Sequence, residues 1–200
     1  MMRRHKLALK DDAAYLRSIG IYIGLSVLIF AATTVMGYLA ASSNSELATE
    51  MTKELEVLKW IMNLPSFMIM IVIFLKNLLA CTLSVLLGLG LGIVPFLVVT
   101  SNGFLLGVVA YGVINKEGFP VLLAGILPHG IIELPTVLVS IAIGFRLGYL
   151  LTIAILGEKS DLVGEIRTAV HFLIHLIMPL LLLAAFIETF ITPIALSVVK

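Results

Sequence analysis

The sequence predicts an all-α, polytopic transmembrane helical bundle of five to six spans, with broken or re-entrant helices and an extracytoplasmic amphipathic helix. Three observations carry that expectation. Hydrophobic residues make up 60% of the chain and charged residues 12%, whereas soluble domains run nearer half and a quarter. The mean hydropathy is +1.16. The apolar residues also fall in runs long enough to cross a bilayer, which takes about 20 helical residues. A soluble core of 200 residues cannot bury so much apolar surface, so lipid must be the solvent for the excess.

Residues 1–18 form a basic N-terminus with Arg3, Arg4, Lys6, Lys10 and Arg17. Lys and Arg are retained on the cytoplasmic side, which places this end there. The first span follows, from Ile19 to Ala41. It is longer than the roughly 7–15 apolar residues of a secretory signal. An uncleaved helix is therefore preferred over cleavage at Ala40-Ala41-Ser42. Residues 42–65 then lie outside the cytoplasm. There Leu47, Met51, Leu55, Leu58 and Met62 follow spacings of 4, 4, 3 and 4, one apolar stripe on a helix. Ser45 is a candidate cap for its start. Such a helix can cap the bundle, lie on the membrane surface or meet a partner.

Residues 66–200 form the core membrane bundle. The apolar run from Phe67 to Thr100 exceeds one ordinary span, with Pro95 ending or kinking it. Thr100-Ser101-Asn102-Gly103 reads as a turn or break, and the residues from Asn115 to Gly118 as a polar loop. The run from Phe119 to Leu156 is again too long for one span. Pro120, Pro128, Gly130 and Pro135 are expected to divide it into a short helix, a bend and a long helix. After a polar stretch from Gly157 to Thr168, the last span runs from about His171 to Ile194, kinked at Pro179.

Ala80, Ser84, Gly88 and Gly92 recur every four residues. Lipid supplies no hydrophobic drive for helix association, so a stripe of small side chains points to a close helix–helix contact. Leu-Gly-Leu-Gly-Leu-Gly lacks the strand and turn context of a phosphate loop. Cys81 reads as a small packing residue.

Ionisable side chains cost roughly 2.5–3.5 kcal/mol at the bilayer centre, so those present should face one another, water or a ligand. Asn77, Asn102, His129, Glu133 and Glu188 are the candidate intramembrane polar site. His129 and Glu133 share a helix face at four residues' spacing, as do His171 and His175. Such pairs suit zinc or another divalent metal. The candidate metal set is His129 and Glu133 with His171 and His175, or the same pair with Glu188. One ion cannot take both alternatives, because thirteen residues separate His175 from Glu188, about 20 Å along a helix. Against a metal stand a self-satisfied His129–Glu133 hydrogen-bonded pair that fixes packing, and a proton or ion relay. Lys76 and Arg146 are expected to snorkel to an interface. The net charge of +1 comes without a basic stripe, so nucleic acid is not an expected partner.

Four stretches together are similar to the stage II sporulation protein M family of integral membrane proteins. They are Phe74-Leu-Lys-Asn-Leu78 with the glycine-rich helix to Gly92; Asn102-Gly-Phe-Leu-Leu-Gly107; Leu127-Pro-His-Gly-Ile-Ile-Glu-Leu-Pro135 extended to Gly148; and Ala184-Ala-Phe-Ile-Glu-Thr-Phe-Ile-Thr-Pro193. The resemblance implies a membrane protein that works with others. Bacterial members act in engulfment during spore formation beside cell-wall-degrading partners, and the family also occurs where no spores form. It supplies no reaction for the motif residues.

Three roles follow. The first is a non-enzymatic scaffold or component of an envelope-associated assembly in the cell membrane, a homodimer or bound to other membrane or envelope proteins. There His129 and Glu133 act through folding and assembly without a bound ion. The second is a transporter or channel whose broken helices build a midplane site at His129, Glu133 and Glu188. The third is an intramembrane metal-dependent hydrolase, which needs an open metal position reached by water. No nucleophile with a neighbouring base is legible, so the sequence leans away from an enzyme.

Overall fold

In a computed structural model of the chain, the described residues are 12–44 and 63–199. The basic residues before Asp12 and the amphipathic stretch from Ser45 to Met62 lie outside them. All elements among the described residues are helical. Helix α1 is Gly20–Ser43, α2 is Ser66–Leu86, α3 is Ile93–Glu117 and α4 is Phe119–Ile155. Helices α5 (Leu162–Phe172), α6 (Met178–Phe190) and α7 (Thr192–Val199) run on as one segment. Five segments are long and apolar enough to cross a membrane. This is a multi-pass membrane protein, and helices suit a bilayer because they pair their own N–H and C=O groups where lipid offers no hydrogen bonds.

Several breaks expected from sequence are absent. Residues 100–103 continue α3 as helix. The hydroxyls of Thr100 and Ser101 donate back to carbonyls one turn earlier, as does the Asn102 amide, so these residues support the helix instead of turning it. Helix α4 likewise continues through Pro128 and Pro135 for 37 residues. Each proline only withholds one N–H, from the carbonyls of Ala124 and Ile131, and neighbouring helices hold the rest. The real turn falls earlier. After a 3-10 turn at Leu87–Leu89, Leu91 and Gly92 take φ of +57° and +78°. Gly92 thus caps α3 in a left-handed conformation that glycine adopts without strain, and Pro95 sits in the first turn of α3. The last segment opens into a π turn at Leu173–Ile177, just ahead of Pro179 in the first turn of α6, where a wider turn spares the ring a clash with the preceding carbonyl.

Two seams of backbone contact join the spans. In the first, α1 lies along α3. A Cβ added at Gly37 would strike the Phe104 carbonyl, one at Gly103 the Thr33 hydroxyl, and one at Gly107 the Thr34 carbonyl. In the second, Ser84 and Gly88 meet Gly144, while Gly148 abuts Gly88 and Gly92. Ala80, Ser84 and Gly88 lie along α2 and its 3-10 extension, whereas Gly92 belongs to the turn beyond. Such approach replaces side-chain packing by backbone dispersion, the main attraction open to helices in lipid.

Where α1, α2, α4 and α5–α6 meet, Ile19, Cys81, Ile143, Leu147, Phe172 and Leu181 form the densest core. The opposite faces stay apolar and open: Ile21, Leu28 and Val35 on α1 are 80%, 66% and 58% exposed, surface that lipid tails cover. At one end of the bundle Arg146 is tied into a polar network. Its Nε pairs with Glu165 at 2.9 Å, and its Nη1 donates to the carbonyl and hydroxyl of Ser18 at 3.0 and 2.9 Å. The Tyr15 hydroxyl donates to the same Glu165 oxygen at 2.8 Å. Burial, reinforced by that hydrogen bond to Glu165, holds the Tyr15 phenol above its ordinary value, so it stays a donor. This network ties the chain ahead of α1 to α4 and α5.

Gly107→Ala should lower stability by about 1–3 kcal/mol through overpacking. Gly24→Ala, with nothing near its added methyl, should leave stability unchanged or raise it by up to about 1 kcal/mol. Thermal unfolding in detergent, read by labelling of the fully buried Cys81 thiol, measures both. Glu165→Gln should cost roughly 2–3 kcal/mol by stranding Arg146, and Arg146→Met with Glu165→Met should recover most of the loss. The same unfolding assay decides between recovery and an additive loss.

Candidate intramembrane polar site

Four helices from three of the spans bring polar groups to one place at membrane depth. Asn77, the twelfth of the 24 residues of Ser66–Leu89, comes from mid-span. His129 and Glu133 come from α4, on the face fixed by their four-residue spacing. Glu188 comes from α6 and Thr192 from the start of α7. His129, Glu133 and Glu188 each offer one ligand-type atom, and these atoms lie within 4.8 Å of one another. All three side chains are half-buried.

The hydrogen bonds are not those of a self-satisfied His–Glu pair. His129 Nδ1 lies 3.3 Å from the Thr192 hydroxyl. That hydroxyl donates to the Ile187 carbonyl at 3.3 Å. With its one proton directed there, Thr192 accepts from Nδ1–H, and the imidazole lone pair is left on Nε2. Glu133 takes a hydrogen bond from the Asn77 side chain, and Asn77 is itself buried. Yet Glu133 Oε2 is buried without a hydrogen-bond partner. The exposed Lys76 is the cation whose charge acts on both Glu133 and Glu188.

Beside the cluster lies a cavity of about 170 Å³, lined by Phe30, Asn102, Leu106, His129, Gly130 and Glu133 among others. Asn102 faces the cluster across this space. Its amide donates to the Val98 carbonyl at 2.8 Å. A space this size holds several waters.

The histidine pair of the last segment stands apart from this cluster. His171 and His175 are exposed and stack on each other, with ring centroids 4.1 Å apart and planes 12° from parallel. His175 Nδ1 lies 3.1 Å from the His171 carbonyl. Of the alternatives read from sequence, the structure assembles His129, Glu133 and Glu188 and leaves His171 and His175 outside. The α5–α6 register decides this, since Glu188 lies far along the segment from the π turn that carries His175. Sequence reasoning did not single out Thr192. The signal was its place in Ile-Thr-Pro, where a proline at the second position of α7 leaves the preceding threonine at a helix start.

Thr192→Val should cost about 1 kcal/mol and release His129 from one tautomer. The ¹⁵N shifts of its ring nitrogens should then move from a single-tautomer pattern toward a mixture.

The sequence profile described as stage II sporulation protein M matches residues 26–193. An uncharacterized protein of Methanocaldococcus jannaschii is 35% identical over 104 residues, covering 51% of this chain and 58% of that protein. A second uncharacterized protein of the same organism is 32% identical over 145 residues, covering 70% of this chain and 63% of that protein. The chain thus spans less than two thirds of the length of these relatives. No solved structure matches. The profile covers both glycine seams and every residue of the polar cluster, and the chain belongs to the stage II sporulation protein M family.

Proposed function

We propose that this protein is a non-enzymatic membrane component that anchors or scaffolds an envelope-associated assembly, with the polar cluster bracing its bundle. One observation carries the reading: α1 and α3 close on each other at Gly37, Gly103 and Gly107, and the end of α2 closes on α4 at Gly88, Gly144 and Gly148, with no room for an added methyl group. Alternating access requires one part of a bundle to rock against another, and seams this tight, with no space for an added methyl group, resist that sliding. A frame of this kind suits a protein that holds others in place. In this reading the basic N-terminus lies in the cytoplasm, and the segment between Ser42 and Leu64 reaches a second copy or another envelope protein. The family's link to protein assemblies supports the same role.

A transporter or channel is the second reading, favoured by the cavity that reaches Glu133 and His129 from Asn102. The continuous helices at residues 100–103 and through Pro128 remove the discontinuities that first suggested it. Two measurements on one preparation separate the readings. Native mass spectrometry from minimally extracted membranes should show the 21.6 kDa chain within a defined larger complex. Proteoliposomes should pass protons and metal ions no faster than empty vesicles. A monomer in native membranes, together with a flux that Glu133→Gln abolishes, would replace the assembly reading by the second.

A further inference from the structure

We infer that His129, Glu133 and Glu188 hold a divalent transition-metal cation inside the membrane. The inference goes beyond the assembly reading and replaces its expectation that His129 and Glu133 work without a bound ion; it rests on that reading only for what the ion does.

Four observations converge on an ion. The first is distance. Ligand atoms on a metal with bonds of about 2.1 Å stand about 3.4 Å apart in a tetrahedron and up to about 4.2 Å apart when opposed. The three candidate atoms already lie within 4.8 Å, so small side-chain rotations close the site. The second is the unpartnered oxygen. Glu133 Oε2 is buried with nothing to bond it, and a carboxylate left so at membrane depth is costly. Asn77 serves the same carboxylate, but Oε2 still needs a positive partner or a proton.

The third observation is the outer ring of partners. Metal-bound imidazole commonly donates its other N–H to an oxygen, which sets the tautomer and orients the ring. Thr192 plays that part for His129, leaving Nε2 as the lone-pair nitrogen. The fourth is charge. Among the described residues, the ammonium whose charge reaches both carboxylates is that of Lys76, whose side chain is exposed. A dication matches the two carboxylates, whereas Lys76 matches one.

The donor set narrows the ion. One imidazole nitrogen with carboxylate oxygens suits Zn²⁺ or Mn²⁺, while Ca²⁺ and Mg²⁺ prefer oxygen alone. The cavity of about 170 Å³ on the Asn102 side leaves room for water to complete the coordination. The ion would join α4 to α6, elements otherwise linked by packing, and so brace the second half of the bundle.

The test uses the full chain purified in detergent. It is stripped with EDTA, reloaded separately with Zn²⁺ and with Mn²⁺, and desalted. Elemental analysis should find about one ion per chain. At a hundredfold excess over Kd, the unfolding midpoint read by Cys81 labelling should rise by about 5–10 °C, with little rise for Ca²⁺ or Mg²⁺. Glu188→Gln and His129→Ala should lose both the ion and the shift while keeping a folded, monodisperse bundle. In the Mn²⁺ form, electron spin echo modulation should show one coordinated ¹⁴N, absent in His129→Ala. Metal content unchanged by these substitutions, or below about 0.1 per chain with an unmoved midpoint, would overturn the proposal. A midpoint that responds to pH and not to Zn²⁺ or Mn²⁺ would overturn it in favour of a proton shared between Glu133 and Glu188. A bound ion in a chain that shows no larger complex would leave this site standing and sink only the assembly reading.

Discussion

Hydrocarbon cannot answer a hydrogen bond, and the whole architecture follows from that. Nearly every backbone N–H and C=O in the spans is paired inside its own helix, and the described elements are helical without exception. The same constraint acts on side chains. Hydroxyls along the spans, such as Ser26, Thr34, Thr136 and Thr189, donate to their own helix carbonyls and so spare the bundle an unpaired donor. Groups that cannot be satisfied locally are drawn to one another. That is the origin of both polar centres: Arg146 with Glu165, Ser18 and Tyr15 at one end, and the Asn77, His129, Glu133 and Glu188 cluster in the interior.

The two centres differ in completeness. In the first, one buried carboxylate receives a guanidinium and a phenol, while the guanidinium's other arm is capped by Ser18. This closed arrangement works as a structural tie. In the second, the imidazole is oriented and one carboxylate is served by an amide, but an oxygen is left over beside a cavity. The interior cluster is thus left chemically open where the Arg146 centre is closed.

Glycine decides how the spans can meet. Along α1 and α3, and again between the end of α2 and α4, there is no room for even a methyl group. Polar groups on different helices reach one another only because their backbones lie this close. The seams thereby serve the site: the contact at Gly88 and Gly144 sets α2 against α4, and with it Asn77 within reach of Glu133. Removing side chains at the seam is what permits side chains to converge elsewhere.

Membrane class, the positions of the apolar runs and the polar residues Asn77, His129, Glu133 and Glu188 were legible in the chain itself, because charged and polar groups in lipid are so unfavourable that they stand out; Thr192 was not. The i, i+4 pairing of His129 with Glu133 was legible for the same local reason, as helix geometry alone puts them on one face. Continuity was not. Asn102 and Gly103, Pro128 and Pro135 are breakers in isolation, and only packing against neighbouring helices and back-bonded hydroxyls keeps α3 and α4 unbroken. Nor could the chain show whether Glu188 or the histidine pair joins His129 and Glu133, since both alternatives satisfy the spacing rules. That choice belongs to the tertiary structure, where the register of α6 against α4 brings Glu188 across while His171 and His175 stack together on an exposed face. Local rules act over a few residues of one helix; which helices touch, and at what depth, depends on how the glycine seams let whole backbones approach.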